Sequence, residues 1–173
     1  MSFDGVDDYI SVPPNGTLSN LSEMTASCWV KISVIPSSSS QLISKWKNPE
    51  GNGNRAYTLR IEPNSVSLNV RTSNGGDFNV EFSIDSLIIN EWQHLSFTYY
   101  GSNISLYLNG ILMATANTSG GNIISSNENF YIGTQSPPTS FFQGDNIDDV
   151  QIWNIALSAQ QIQDYMNCPP TGS

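Results

Sequence analysis

From Met24 to Ile32 apolar and polar residues alternate, which sets Met24, Ala26, Cys28, Val30 and Ile32 on one face. A repeat of two is the mark of a strand with one buried side. The same alternation recurs along the chain. It puts Tyr57, Leu59 and Ile61 on one side of a strand from Ala56 to Glu62, and Val66, Leu68 and Val70 on one side of a strand from Ser65 to Thr72. Pro63-Asn64 between them predicts a hairpin. Further strands are predicted over Gln41 to Trp46, around Phe78, Val80 and Phe82, from Glu91 to Tyr100, from Ile104 to Leu108, through Leu112, Ala114 and Ala116, and from Asn129 to Gly133.

The punctuation between these runs is turn chemistry. Asn109-Gly110 is a two-residue hairpin signal, because both central positions of a type I′ turn need a positive φ. Near the end, Asn146 to Leu157 reads as a strand that runs into Ser158-Ala159-Gln160-Gln161, a capping box for a short helix. About a dozen short strands and one terminal helix predict an all-β antiparallel sandwich. No repeat of the length of a propeller blade or solenoid unit is visible.

The 173 residues, 38% of them hydrophobic, suit a single domain with a sizeable core. Residues 1–167 are assigned to it, and 168–173 to a tail. Fifteen acids against six bases give a net charge of −9, which speaks against nucleic acid and anionic membranes. Only 12% of residues are charged, so the surface is built largely from Asn, Ser, Thr and Gln, suited to a hard cation or to polyols such as sugars. No apolar run is long enough to span a bilayer, and no signal peptide is evident. Cys28 reads as a small buried hydrophobe; whether it pairs with Cys168 is left open by the spacing.

Two regions carry candidate chemistry. Asp4, Asp7 and Asp8 open the chain, and Asp148 and Asp149 lie in the late strand. If the two ends share a sheet, these carboxylates crowd at a cost that a cation or distance must relieve. Otherwise they are ordinary solvated turn residues. The second region comprises two irregular loops, Lys47 to Arg55 and Thr134 to Ser140. Trp46, Asn48, Asn52 and Asn54 supply what a sugar needs, amides for the hydroxyl edges and an aromatic platform for the apolar face. Arg60 and Arg71 extend such a site if their strands line a concave face, whereas Tyr57 shares the phase of Leu59 and Ile61 and belongs to the core. The same composition also suits a surface loop that binds nothing.

Several of these segments occur together in a known order. Phe3-Asp4-Gly5-Val6-Asp7-Asp8-Tyr9-Ile10, Ala26 to Lys31, Leu42 to Lys45, Trp92 to Tyr99, Leu106 to Gly110, Tyr131 to Gly133 and Ile147 to Asn154 resemble the laminin-G-like members of the concanavalin A-like lectin and glucanase superfamily. The resemblance covers nearly the whole chain. It implies a jelly roll of two curved sheets, a structural calcium, and a place as a module in secreted or cell-surface multidomain proteins, bacterial ones among them. It makes the 168–173 tail a linker leading to a following module. It places the calcium near Asp4, Gly5, Asp148 and Asp149. Strand alternation puts Asp148 and Asp149 on opposite faces, so one serves as primary ligand; the register of the related glucanases favours Asp148, with Asp4 as its partner.

The family is functionally mixed, and fold alone does not choose. The related glucanases carry Glu-x-Asp-x-x-Glu on one strand, which brings acid and nucleophile together. Nothing here matches that spacing, since Glu62, Glu81, Glu91 and Glu128 stand alone. His94, the single histidine, sits in a strand motif and reads as framework. The expectation is a non-catalytic, monomeric, carbohydrate-binding module with a structural calcium. The net charge disfavours an acidic polysaccharide as its ligand unless calcium bridges the two. The rival is a spacer or protein-interaction module of an adhesin, and a glycosidase is the remote alternative.

Overall fold

The computed structural model describes residues 1–14, 16–47, 55–144, 146–166 and 170. Among them eleven strands form two antiparallel sheets. β1 (Ile10–Val12), β3 (Ser40–Trp46), β4 (Arg55–Ile61), β5 (Ser65–Arg71), β6 (Asp77–Ser83) and β10 (Phe130–Ile132) make one sheet in the order β1-β10-β3-β4-β5-β6. β2 (Glu23–Lys31), β7 (Trp92–Tyr100), β8 (Asn103–Leu108), β9 (Ile111–Asn117) and β11 (Asn146–Trp153) make the other, in the order β11-β2-β7-β8-β9. A short helix α1 (Ala159–Tyr165) follows. The predicted antiparallel β-sandwich is the fold.

The alternating faces meet as expected. Tyr57, Leu59 and Ile61 of β4 and Val66, Leu68 and Val70 of β5 are fully buried in one core with Met24, Ala26, Cys28 and Phe97 from the opposite sheet. The rings of Tyr57 and Phe97 meet across the sandwich at 6.0 Å between centroids. Each large apolar side chain buried here contributes about 1.5–3 kcal/mol. Cys28 is a free thiol in this core, its pKa pushed up to about 12 by burial; Cys168 lies outside the described residues.

Local signals hold where hydrogen bonding is local. Asn109 and Gly110 both take positive φ, 50° and 71°, in the turn from β8 to β9. Glu62 N–H donates to the Ser65 carbonyl at 2.7 Å and closes the β4–β5 hairpin. Ser158 Oγ accepts from Gln161 N–H at 3.2 Å while Gln161 Oε1 accepts from Ser158 N–H at 2.9 Å, the reciprocal capping box of α1.

What alternation does not disclose is which outer face is covered. Beyond β11 the chain folds back over the outside of the five-stranded sheet. Thr25 Oγ1 donates to the Ile155 carbonyl at 2.8 Å and accepts from Leu157 N–H at 2.9 Å. Leu157 and Ile162 form a second small core with Tyr107, against which Trp153 packs. His94 and Trp29 are buried on this sheet, their rings 5.3 Å apart. The outside of the six-stranded sheet receives no such cover from the described residues, and a groove lies there.

Candidate functional site

The groove has a volume of about 370 Å³, within the ~300–1,000 Å³ of ligand pockets. Its floor comes from residues in the opposite phase to the core positions of β4 and β5: Arg60, then Asn69, with Thr58 packed beneath. Thr58 Oγ1 donates to Gln41 Oε1 at 2.6 Å, and Gln41 Nε2 donates to Ser39 Oγ at 3.0 Å, which fixes the amide at the groove wall. Gln135 and Ser140 line the rim. They come from the Thr134–Ser140 loop, which is stitched to the end of β3 by Ser136 N–H donating to the Trp46 carbonyl at 3.1 Å.

Charge at the site is arranged in pairs. Arg60 on β4 is ion-paired with Glu62. Asp77, at the start of β6, accepts from Arg71 Nη1 at 2.7 Å on one oxygen and from Arg55 Nη1 at 3.0 Å on the other. Arg55 Nε also donates to the Lys47 carbonyl at 3.2 Å. The Arg55 guanidinium lies over the Trp46 ring, 5.1 Å from its centroid.

The predicted sugar residues are thus partly assembled. Trp46 and Arg60 line the groove, and Arg71 stands beside it through the shared Asp77. Trp46 is not the open platform expected from sequence. It is 7% exposed and its face is covered by Arg55, because a bulge between Lys45 and Trp46 sets Arg55 opposite it across the β3–β4 pair. Asn48, Asn52 and Asn54 lie outside the described residues. Arg55 and Gln135 fall within the two loops the sequence marked as candidates, though not named for a role, and Gln41, Asn69 and Asp77 were not singled out. Alternation on β5 carried the signal for Asn69, which is in phase with Arg71; Gln41 and Asp77 needed cross-strand register.

The acidic ends meet differently from expectation. Ser2 bridges Asn146, and Ile147 N–H donates to the Met1 carbonyl at 3.1 Å, so the two ends do pair. The chain then crosses to the other sheet, where β1 pairs with β10. Asp148 remains in the five-stranded sheet opposite Trp29. Asp149 occupies a bulge with φ 45°, and its Oδ2 accepts from Gln151 Nε2 at 2.7 Å. Ile147 and Val150 on either side both pack on the core, so the bulge absorbs the alternation that would have parted the two carboxylates. Neither joins the one group of three carboxylates close enough to share an ion among the described residues, which is Asp4, Asp7 and Asp8, with oxygens within 4.8 Å of one another.

That loop is held by its own hydrogen bonds. Asp4 Oδ1 accepts from Val6 N–H at 2.8 Å and Asp8 Oδ2 accepts from Asp4 N–H at 3.0 Å. Gly5 between them has φ 79°, and a Cβ there would lie 3.3 Å from the Gln143 Cα. Exposed carboxylate oxygens are hard donors of the kind calcium takes. The donor chemistry therefore fits at Asp4, Asp7 and Asp8, while Asp148 and Asp149 stand apart from that group in β11.

His94 is 5% exposed and its Nδ1 has no hydrogen-bond partner among the described residues. Burial pulls its pKa down to about 4, against a smaller opposing pull from Asp149. It sits under the C-terminal segment, on the sheet opposite the groove.

Two antiparallel sheets of six and five strands, with a polar groove outside one of them, define a β-sandwich of the jelly-roll kind. A family model described as the concanavalin A-like lectin/glucanases superfamily matches residues 4–163, and the chain belongs to that family as a laminin-G-like domain. No curated protein sequence matches it. Among solved structures it is similar to the binding domain of botulinum neurotoxin serotype G, at 17% identity and a TM-score of 0.71 over 95% of this chain and 41% of that one. It is also similar to the serotype D ligand-binding domain in complex with N-acetylneuraminic acid, at 16% identity and a TM-score of 0.73 over 95% of this chain and 40% of that one. The binding domain of Paraclostridial Mosquitocidal Protein 1 matches at 15% identity and a TM-score of 0.69, over 95% and 42% of the two chains. The chain thus spans about two fifths of the length of the solved chains it matches, and the likeness is one of fold. No helix among the described residues is long and apolar enough to cross a membrane.

Proposed function

We propose that this domain is a non-catalytic carbohydrate-binding module of a secreted or cell-surface protein, and that the sugar lies in the groove outside the six-stranded sheet. The observation that carries this reading is the groove itself, where fixed amides from Gln41, Asn69 and Gln135 converge with arginine and carboxylate groups on an uncovered sheet face. Such planar groups match the hydroxyl edges of a pyranose, each donating or accepting in a set direction. Solved relatives of the same fold support it, since two are described in complex with N-acetylneuraminic acid and with SialylT. A calcium held by Asp4, Asp7 and Asp8 would be structural, pinning the first loop to the sandwich.

Recognition without turnover is favoured by the state of the carboxylates. Glu62 and Asp77, the two that line the groove, are each tied to arginine. Glycoside hydrolysis instead needs two carboxyl groups set on either side of the scissile bond and free to act on it.

A glycan array, followed by titration calorimetry on the hits, tests the reading. Binding should fall at least tenfold in Gln41→Ala and Asn69→Ala, and no released sugar should be detected after prolonged incubation. Glycan binding that these substitutions leave intact would refute the groove, and hydrolysis of a bound oligosaccharide would replace lectin by glycosidase. The interaction-module alternative has one observation in its favour, the edge strand β9 with Ile111 and Leu112 more than half exposed.

A further inference from the structure

The three arginines of the sequence, Arg55, Arg60 and Arg71, all stand on the outer face of β4 and β5, in a chain whose net charge is −9. Of the three lysines, Lys45 is buried with its ammonium on the Glu128 carbonyl, and Lys47 flanks the same end of the sheet. Lys31 ends β2 on the other sheet, so the arginines are gathered at the groove, each with a carboxylate partner there. Arg60 marks one end and the Arg55–Asp77–Arg71 trio the other. Arg60 lies five positions beyond Arg55 on β4, roughly 16 Å along an extended strand.

A neutral sugar is usually gripped by hydrogen bonds at its edge and an aromatic ring against its face. Here the only tryptophan of the groove is taken, since Arg55 covers it at 5.1 Å. Polar and charged groups remain, and among these the guanidinium is the one whose paired donors match a carboxylate. Resting on the reading of the groove as a sugar site, we infer that its ligand is an acidic oligosaccharide, one whose rings carry carboxylates, as uronic and sialic acids do. Asp77 and Glu62 act as placeholders that hold the arginine side chains in position. The ligand's carboxylate meets the remaining N–H donors of Arg71, 35% of whose side chain is accessible, and of Arg60.

The overall negative charge, which by itself disfavours an acidic ligand, does not forbid this one. Charges are screened beyond about 8 Å at physiological salt, so a ligand in the groove senses the arginines beside it more than acids on distant loops. The placeholders also set selectivity. An anionic ligand must compete with them, and a ligand without a carboxylate gains nothing from displacing them.

The test uses four probes on the intact domain: trigalacturonate and sialyllactose as the acidic pair, and galactotriose and lactose as neutral counterparts. Nitrogen-15 spectra of the arginine side chains report contact directly, and calorimetry gives affinities. The Nε–H signals of Arg60 and Arg71 should shift with an acidic probe and not with its neutral counterpart, and affinity should fall about tenfold between 50 and 500 mM salt. Arg71→Ala should weaken acidic binding by about tenfold, the scale of one charge-assisted hydrogen bond. Asp77→Asn should strengthen it severalfold by removing the competing carboxylate, a gain that damage to the fold would not produce. The two acidic probes separate uronate from sialate.

Neutral probes that bind as tightly as the acidic ones, with losses in Gln41→Ala, would overturn the acidic ligand and leave the sugar groove standing. Silence of the groove resonances toward all four probes, while array hits bind elsewhere or nothing binds, would overturn both.

Discussion

Replacing His94 by Gln should leave stability nearly unchanged in its pH dependence above pH 7 and remove much of the acid sensitivity below it. The imidazole is 5% exposed, packed on Trp29, with its Nδ1 unpartnered and its folded pKa near 4. In the unfolded chain it titrates at the ordinary 6.5. A depressed histidine pKa means that the unfolded state binds the proton first. The native state is therefore at full advantage above pH 6.5 and loses ground as pH falls from there toward 4. Between pH 7.5 and 4.5 the expected loss is about 2.5 kcal/mol, because each tenfold rise in proton activity below pH 6.5 favours the unfolded chain by roughly 1.4 kcal/mol. For a domain of this size that is ~5–10 °C in Tm. Urea unfolding followed by tryptophan fluorescence at both pH values, for the native protein and for His94→Gln, isolates the imidazole's contribution, because the carboxylates titrate alike in both. Native and variant curves that stay parallel from pH 7.5 to 4.5 would refute the reasoning. So would an imidazole carbon-13 signal that titrates near 6.5 in the folded protein.

Two other expectations follow from local geometry. Calcium should raise the melting temperature by several degrees over chelator-treated protein at matched ionic strength, by the stabilisation a ligand of the folded state supplies; Asp4→Asn or Asp8→Asn should abolish the shift and Asp148→Ala should not, with the reverse pattern placing the ion in β11. Ser158→Ala removes the hydroxyl that accepts from Gln161 N–H and should cost about 1 kcal/mol in chemical unfolding, losing α1 from the outer face first; no loss would mean that the packing of Leu157 and Ile162 alone holds the helix.

Much of this fold was written in short-range pattern. Alternation found the core faces of β2, β4, β5 and β6, because a strand buried on one side must repeat every two residues. Asn109-Gly110 and Ser158-Gln161 foretold their turn and cap because each involves neighbours whose hydrogen bonds close within a few residues. Arg60 in the groove and Arg71 beside it were legible as outer-face residues for the same reason, being out of phase with the buried positions of their strands.

The misplacements share a cause. Alternation sets Asp148 and Asp149 pointing apart, and one extra residue at the Asp149 bulge reset the phase of β11. Composition suggests an open Trp46, and a bulge at the start of β4 brought Arg55 across its face. A bulge is set by pairing with a distant strand and leaves little trace in the residues that form it.

The sequence by itself determined the all-β class, the position of the core, the family and the local caps, since these depend on hydrophobic period and near-neighbour bonding. Only the tertiary structure decided which outer face is buried under the C-terminal segment and which is left open. It alone gathered every arginine around one groove and left Asp4, Asp7 and Asp8 in a loop while Asp148 and Asp149 stayed in β11. Such outcomes depend on which strands pair and in what register, from neighbouring hairpins such as β4-β5-β6 to strands as distant in the chain as β2 and β11.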